Sequence, residues 1–218
     1  MSRRRRAALL AGSPVVRSPV VRSPVVRSLV IWPLAALLLA GCSADDGGVA
    51  DYADSGDGGY VQVSQSSSWY EPDGRGAAVD FTATEADGTT VSTAELRGQV
   101  VVLNFWYAGC PPCRSEAPTL AEVANEYTEG TVTFLGVNVR DDAATVEAFE
   151  TSFEVPYPSV LDADSGDVQL ALAETVPANA TPATIVLDTR GRVAARMLGQ
   201  LESAAQLSGY IDALLEEG

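Results

Sequence analysis

The stretch LNFWYAGCPPCRSEAPTL, residues 103–120, decides the reading of this chain. It overlaps a continuous apolar run, VVVLNF at 100–105, with the length and composition of a strand buried on both faces. Cys110 and Cys113 follow, separated only by Pro111 and Pro112, and the residues beyond predict a helix from about 111 to 127. A Cys-x-x-Cys between a buried strand and a helix reads as a dithiol redox motif. The chemistry explains the spacing. Cys110 at the helix N-cap sits near the positive end of the helix dipole, which lowers its pKa below about 8.5 and makes a usable nucleophile. Cys113 lies one turn on, on the same face, and can attack a mixed disulfide to release a reduced substrate. The other readings fit less well. Structural zinc generally needs four ligands, and beyond this pair no Cys or His follows Cys42. A permanent structural disulfide across so short a loop would constrain the unfolded chain little.

The 218 residues suffice for one domain with attachments. Histidine is absent and all 14 basic residues are arginine, so a Ser-His-Asp triad, a Cys-His nucleophile and a His-ligated zinc or copper site are excluded. From Cys42 onward seven arginines face 29 carboxylates, a balance of −22. Such a surface repels nucleic acid and anionic lipid headgroups. Its bland reading is a solvated, solubilising face.

Residues 1–41 read as a targeting segment: MSRRRR supplies a positive start, and LVIWPLAALLLA at 29–40 is an apolar core. That core is shorter than the roughly 20 residues a membrane-spanning helix needs, but it suits a signal peptide. It ends in LAGC, which resembles the bacterial lipobox; the resemblance implies lipidation of Cys42, with an ordinary cleaved signal as the alternative. SPVVR, repeated in tandem over 13–27, places proline every fifth residue and forbids a stable helix there. A DNA repeat or a misassigned start codon accounts for it more simply than function does. With Cys42 lipidated, Cys110 and Cys113 remain as a pair, in an extracytoplasmic segment where disulfides persist.

Residues 42–75 are rich in Gly, Ser and Asp and read as a flexible acidic linker, whose Tyr52, Tyr60, Trp69 and Tyr70 could dock on the domain. The folded domain is placed at 76–218. It opens with an N-terminal β-hairpin turning at Asp87-Gly88, then a single helical turn from the capping-box pair Ser92 and Glu95 to Gly98. A second buried strand spans 132–139, and Asp142 caps a helix running to about 153. A short extended piece, YPSVLD, and a short helix, DVQLALA, follow. Strands at 183–188 and 192–198 turn at Arg190-Gly191. Ser203 then caps a last helix with Leu207, Ile211, Leu214 and Leu215 inward. Asp162, Asp164 and Gly166 faintly suggest a calcium loop, but the spacing is wrong and a turn is the better reading. The expectation is an α/β fold with a central mixed β-sheet flanked by helices.

VVVLNFWYAGCPPCRSEAPTL, then FLGVNVRDD, VPYPSVLDADSGD, TPATIVLDTRGRVAAR and the final helix, resembles the thioredoxin superfamily. Within it the resemblance is to the membrane-anchored TlpA/ResA/CcsX branch, with its redoxin/AhpC-TSA-like domain, in an actinobacterial-type lipoprotein. It covers roughly 76–218 and implies a thioredoxin-like fold. It also implies Cys110 as attacking thiol, Cys113 as resolving thiol, Pro118 as the kink-inducing helix proline and Thr181-Pro182 as a cis-proline loop facing the dithiol. Trp106, Pro111, Pro112, Thr181 and Pro182 would form the substrate surface, although Trp106 serves equally well as a core residue. Glu116 matches an acid that tunes the thiols or relays a proton, its alternative being a solvent-facing helix glutamate. Asn104 stands where cytoplasmic thioredoxins carry a buried aspartate. Gly109 departs from the pattern, which has a bulky aromatic before the first cysteine.

The function implied is an extracytoplasmic thiol–disulfide oxidoreductase, anchored to the cell membrane, monomeric, and without a metal or a cofactor beyond the Cys110–Cys113 disulfide. The branch implies reduction of disulfides in apocytochrome c during cytochrome c maturation, with electrons from a CcdA-type membrane thiol transporter. The alternatives are a general envelope disulfide oxidoreductase or isomerase, a peroxiredoxin-like peroxidase, and a non-catalytic copper-binding lipoprotein. The peroxidase lacks its Pro-x-x-x-Thr-x-x segment, and copper delivery lacks Cys-x-x-x-Cys and histidine. The two prolines favour a reductant. They remove N–H groups that would stabilise a Cys110 thiolate, leaving only that of Cys113.

Overall fold

The structure, a computed structural model, describes residues 64–127 and 130–218. The expected signal segment, Cys42, Tyr52, Tyr60 and the linker up to residue 63 lie outside the described residues. Among the described residues no helix is long and apolar enough to cross a membrane.

Among the described residues, eight strands and four α-helices follow in chain order. Strand β1 (Ser66–Trp69) precedes the hairpin β2 (Thr82–Thr84) and β3 (Thr90–Ser92), then β4 (Val100–Trp106) and α1 (Pro111–Glu126). Next come β5 (Val132–Asn138), α2 (Ala143–Phe153), β6 (Ser159–Leu161) and α3 (Asp167–Ala171). The chain ends with β7 (Ala183–Leu187), β8 (Val193–Leu198) and α4 (Ala204–Glu217). The main sheet runs β1-β8-β7-β4-β5-β6, parallel across β4, β5 and β6 and antiparallel elsewhere, while β2 and β3 form a separate pair. This is the thioredoxin-like mixed sheet expected.

Alternation along β4 divides the core. Val101, Leu103 and Phe105 face a cluster with Val79, Phe81 and Ala83 from the hairpin region and Val168 and Leu172 from the α3 region. Val100 and Val102 face Leu120 and Val123 of α1 and Leu207, Ile211 and Leu214 of α4. Asp142 and Ser203 cap α2 and α4 by accepting the N–H groups of Thr145 and Gln206. The buried Asp162 carboxylate caps α3, accepting the N–H groups of Val168 and Gln169, which makes that segment a helix-capping turn.

Three expectations are corrected. The domain begins before residue 76: β1, drawn from the stretch read as linker, pairs Ser66 with Leu198 through Trp69 with Ala195. Trp69 stacks on Tyr210 with ring centroids 5.5 Å apart. The fully buried Arg75 side chain pairs with Asp188 at 3.2 Å and Glu217 at 2.6 Å, clamping this segment to β7 and α4. Second, the expected helical turn from Ser92 is an irregular run of turns. Thr93 Oγ1 accepts the Phe81 N–H at 3.1 Å, and the Ser92 hydroxyl oxygen accepts the N–H of Ala94 rather than that of Glu95. Third, Leu215 is 39% exposed, because the covered face of α4 is only as wide as Leu207, Ile211 and Leu214.

Candidate active site

The β4–α1 junction is held from below and from the side. The Asp141 carboxylate accepts the Ala108 N–H at 2.6 Å and the Asn138 side-chain amide at 2.9 Å, and the Val139 N–H donates to the Trp106 carbonyl at 3.1 Å. These bonds aim the chain so that Cys110, in extended conformation, becomes the N-cap of α1. Pro111 and Pro112 fill the first helical positions, where a missing N–H removes no intrahelical bond. The Cys113 N–H donates to Cys110 Sγ at 3.2 Å.

Cys110 and Cys113 form a disulfide. They pack with Trp106, Tyr107, Ala117, Val146 and Phe149. Cys110 is 0% and Cys113 2% exposed, so N-cap placement does not expose the Cys110 sulfur in this oxidised form. The Tyr107 ring lies 3.5 Å from where a Gly109 Cβ would stand, so aromatic surface is kept near Gly109 by a residue three positions before Cys110. The Arg114 guanidinium donates to the Ala108 carbonyl at 3.2 Å and lies 4.9 Å from the Phe153 ring centroid, which ties it to the loop before Cys110.

Glu116 is only 2% exposed, which rules out a solvent-facing glutamate. Its Oε1 accepts from the Asn104 amide at 3.0 Å and its Oε2 from the Leu201 N–H at 2.9 Å. Burial pushes its pKa up to about 7, against the downward pull of the two hydrogen bonds. Asn104 therefore does not leave the site without an acid; it holds the acid supplied by α1.

The Thr181-Pro182 peptide is cis. The next residue, Ala183, pairs with Phe105 at the end of β4 that leads into Cys110, and the Pro182 carbonyl accepts the Gly199 N–H at 2.9 Å. Since Leu201 in the same β8–α4 connection donates to Glu116, one loop links the cis-proline and the buried acid. The structure thus gathers Trp106, Cys110 and Cys113 in one cluster and joins Thr181-Pro182 to Glu116 through a second. Pro118 lies inside an unbroken α1. The sequence reading had not singled out Asp141, Leu201 and Ser159. The run NVRDD offered the only local signal, a pair of acids straight after a buried strand.

Redoxin is the family that matches, over residues 72–214. The chain belongs to the Redoxin family. Among relatives in this family, the thiol-disulfide oxidoreductase ResA of Halalkalibacterium halodurans is 30% identical over 116 residues, covering 53% of this chain and 63% of that protein. A secreted thiol-disulfide isomerase from Corynebacterium glutamicum superposes with a TM-score of 0.63 at 30% identity, covering 75% of this chain and 96% of the other. A DsbF homologue from Corynebacterium diphtheriae superposes with a TM-score of 0.61 at 33% identity, covering 72% of this chain and 100% of the other. Within the family the likeness is to the TlpA/ResA type on a thioredoxin fold, and the chain is a protein-disulfide oxidoreductase.

Proposed function

We propose that this oxidoreductase works as a reductant outside the cytoplasm. The observation that carries this reading is the surroundings of Cys110 Sγ. It is buried and, among the described residues, accepts a hydrogen bond from one donor, the Cys113 N–H, because Pro111 and Pro112 have none to offer. A strongly oxidising dithiol needs a stabilised thiolate, which favours its reduced form. Burial and the two prolines both withhold that stabilisation. In the forward reaction the Cys110 thiolate attacks a substrate disulfide and expels one substrate thiolate. Cys113 then attacks Cys110 Sγ, releases the second, and leaves the Cys110–Cys113 disulfide. Two electrons pass to the substrate, which leaves as two thiolates. Glu116, one turn beyond Cys113, takes up the proton that Cys113 gives away and returns it to one of them. The other is protonated from solvent, which had taken the Cys110 proton when the thiolate formed, and no cofactor beyond the dithiol takes part.

The substrate is apocytochrome c awaiting haem attachment, and a CcdA-type membrane thiol transporter returns the electrons to a monomeric protein anchored through a lipid on Cys42. Support comes from the ResA relatives and the sequence ending LAGC. A second reading, an isomerase or oxidant of envelope proteins, is favoured by the likeness to the secreted thiol-disulfide isomerase of Corynebacterium glutamicum. Equilibration with glutathione separates the two. The reductant reading expects a potential near roughly −270 mV, and a value above about −180 mV overturns it. Cys113→Ser expressed in cells should trap c-type apocytochromes as mixed disulfides; exclusive capture of unrelated envelope proteins overturns the substrate assignment. Mass measurement of membrane-extracted protein should find diacylglyceryl Cys42 as the first residue, and a mature form released to the medium overturns the anchor.

A further inference from the structure

Trp106 is held in a way that the exchange chemistry alone does not require. Its indole N–H donates to Ser159 Oγ at 3.2 Å, both groups being buried, and its ring lies 4.2 Å from that of Phe149. Trp106 is on β4 and Ser159 on β6, so the bond passes over β5 near Gly136, which pairs with both Asn104 and Ser159. A Cβ at position 136 would fall 2.1 Å from Ser159 Oγ and 2.8 Å from Trp106 Nε1. Glycine in the middle of a buried strand is unfavourable, and here its absent side chain makes room for the hydrogen bond. Trp106, Ser159 and Cys113 also line one cavity of about 10 Å³, together with Asn104, Phe149 and Tyr157.

That cavity is the spare room beside the resolving cysteine. Reduction replaces one covalent S–S bond by two thiols whose sulfurs keep van der Waals separation, so the reduced pair needs more space than the disulfide. Interiors are close-packed, and a wall that cannot yield makes that space costly. We propose that Ser159 is a positioning residue for the dithiol: by holding Trp106 as a fixed wall beside Cys113, with Gly136 leaving the space, it limits the room open to the reduced pair and biases the couple toward the disulfide. This deepens the reductant reading and rests on it, since a couple biased toward the disulfide gives its electrons away.

The measurement is the constant K for protein disulfide + 2 glutathione ⇌ protein dithiol + glutathione disulfide. It is read by acid quench, alkylation and mass analysis, so that no tryptophan signal is needed. Ser159→Ala and Trp106→Phe each enlarge the cavity and remove one partner of the bond. Each is expected to raise K at least threefold, about 14 mV toward a less reducing couple at 29.6 mV per decade. Because the two residues act through one bond, the double variant is expected to match the larger single effect within twofold. A smaller change, a change of opposite sign, or a double effect equal to the product of the singles overturns the proposal. So does loss of thermal stability in the oxidised variants with K unmoved, which is what a purely structural serine would give. The wild-type potential tests the reductant reading separately: a value above about −180 mV sinks that reading and leaves the differences between variants to be judged on their own.

Discussion

Glu116→Gln should change how stability depends on pH, and the structure sets the size. The group is buried, with a pKa of about 7 against an ordinary value of 4.5. A carboxyl whose folded pKa is raised contributes stability that is fully present below pH 4.5 and is lost as pH rises toward 7. With those two values the loss between pH 5 and pH 9 is about 2.5 kcal/mol, from 1.36 kcal/mol per unit with part of the titration already over at pH 5. Glutamine cannot ionise, so it escapes this loss. It has its own cost, because its one carbonyl oxygen can serve only one of the Asn104 and Leu201 donors, and the other then faces an amide NH₂. An unsatisfied buried donor costs about 1–3 kcal/mol at any pH. The variant should therefore be less stable than wild type at pH 5 and equal to it or more stable at pH 9. The assay is urea unfolding of the oxidised proteins at the two pH values, with the difference between variants taken at each so that all other titrations cancel. Parallel pH dependences for the two proteins would show that Glu116 does not carry a raised pKa and would remove its claim to be the proton acceptor.

Arg75→Ala should destabilise the oxidised protein by roughly 3 kcal/mol, or about 6–12 °C in Tm, because it strips a buried guanidinium from Asp188 and unpins the segment after β1 from Glu217 of α4; a shift below about 2 °C would show that this clamp adds little to the fold. Burial pushes the Asp188 carboxyl up, but the backbone and guanidinium of Arg192 together with Arg75 outweigh it and hold the pKa below the usual carboxylate range. Its contribution is therefore present above the ordinary pKa and lost as pH falls through the lowered one, so the wild type should lose this part of its advantage over Arg75→Ala in acid. In the reduced protein Cys110 should alkylate faster than Cys113, since the Cys113 N–H donates to the Cys110 sulfur and favours its thiolate. Faster labelling of Cys113 by iodoacetamide would reverse the assignment of attacking and resolving thiols.

What could be read from residues alone was governed by neighbours a few positions away. VVVLNF has the composition of a strand, Cys110 followed by two prolines opens a helix, and Asp142 and Ser203 cap the helices that follow them. Propensity, capping and alternation act over one or two turns, so strand–helix order and the dithiol at its junction were legible in the sequence. Burial and partnership depend on residues that come from elsewhere in the chain. SSSW carries no apolar alternation, and it becomes strand β1 only because the edge of β8 lies open beside it and Arg75 finds Asp188 and Glu217. Position along α1 left Glu116 either exposed or buried; the β8–α4 connection covers it and supplies the Leu201 N–H from 85 residues away. In the sequence Ser159 is one residue of a short extended piece, and Gly136 one residue of a buried strand. Only the pairing of β5 with β6, which sets Ser159 beside Gly136 and across β5 from Trp106, joins them to that indole and the resolving cysteine. The sequence by itself thus determined which chemistry the chain carries. The tertiary structure decided the environment of that chemistry, because dielectric, room and hydrogen-bond supply at the dithiol are set by chain segments that meet only when the sheet is assembled.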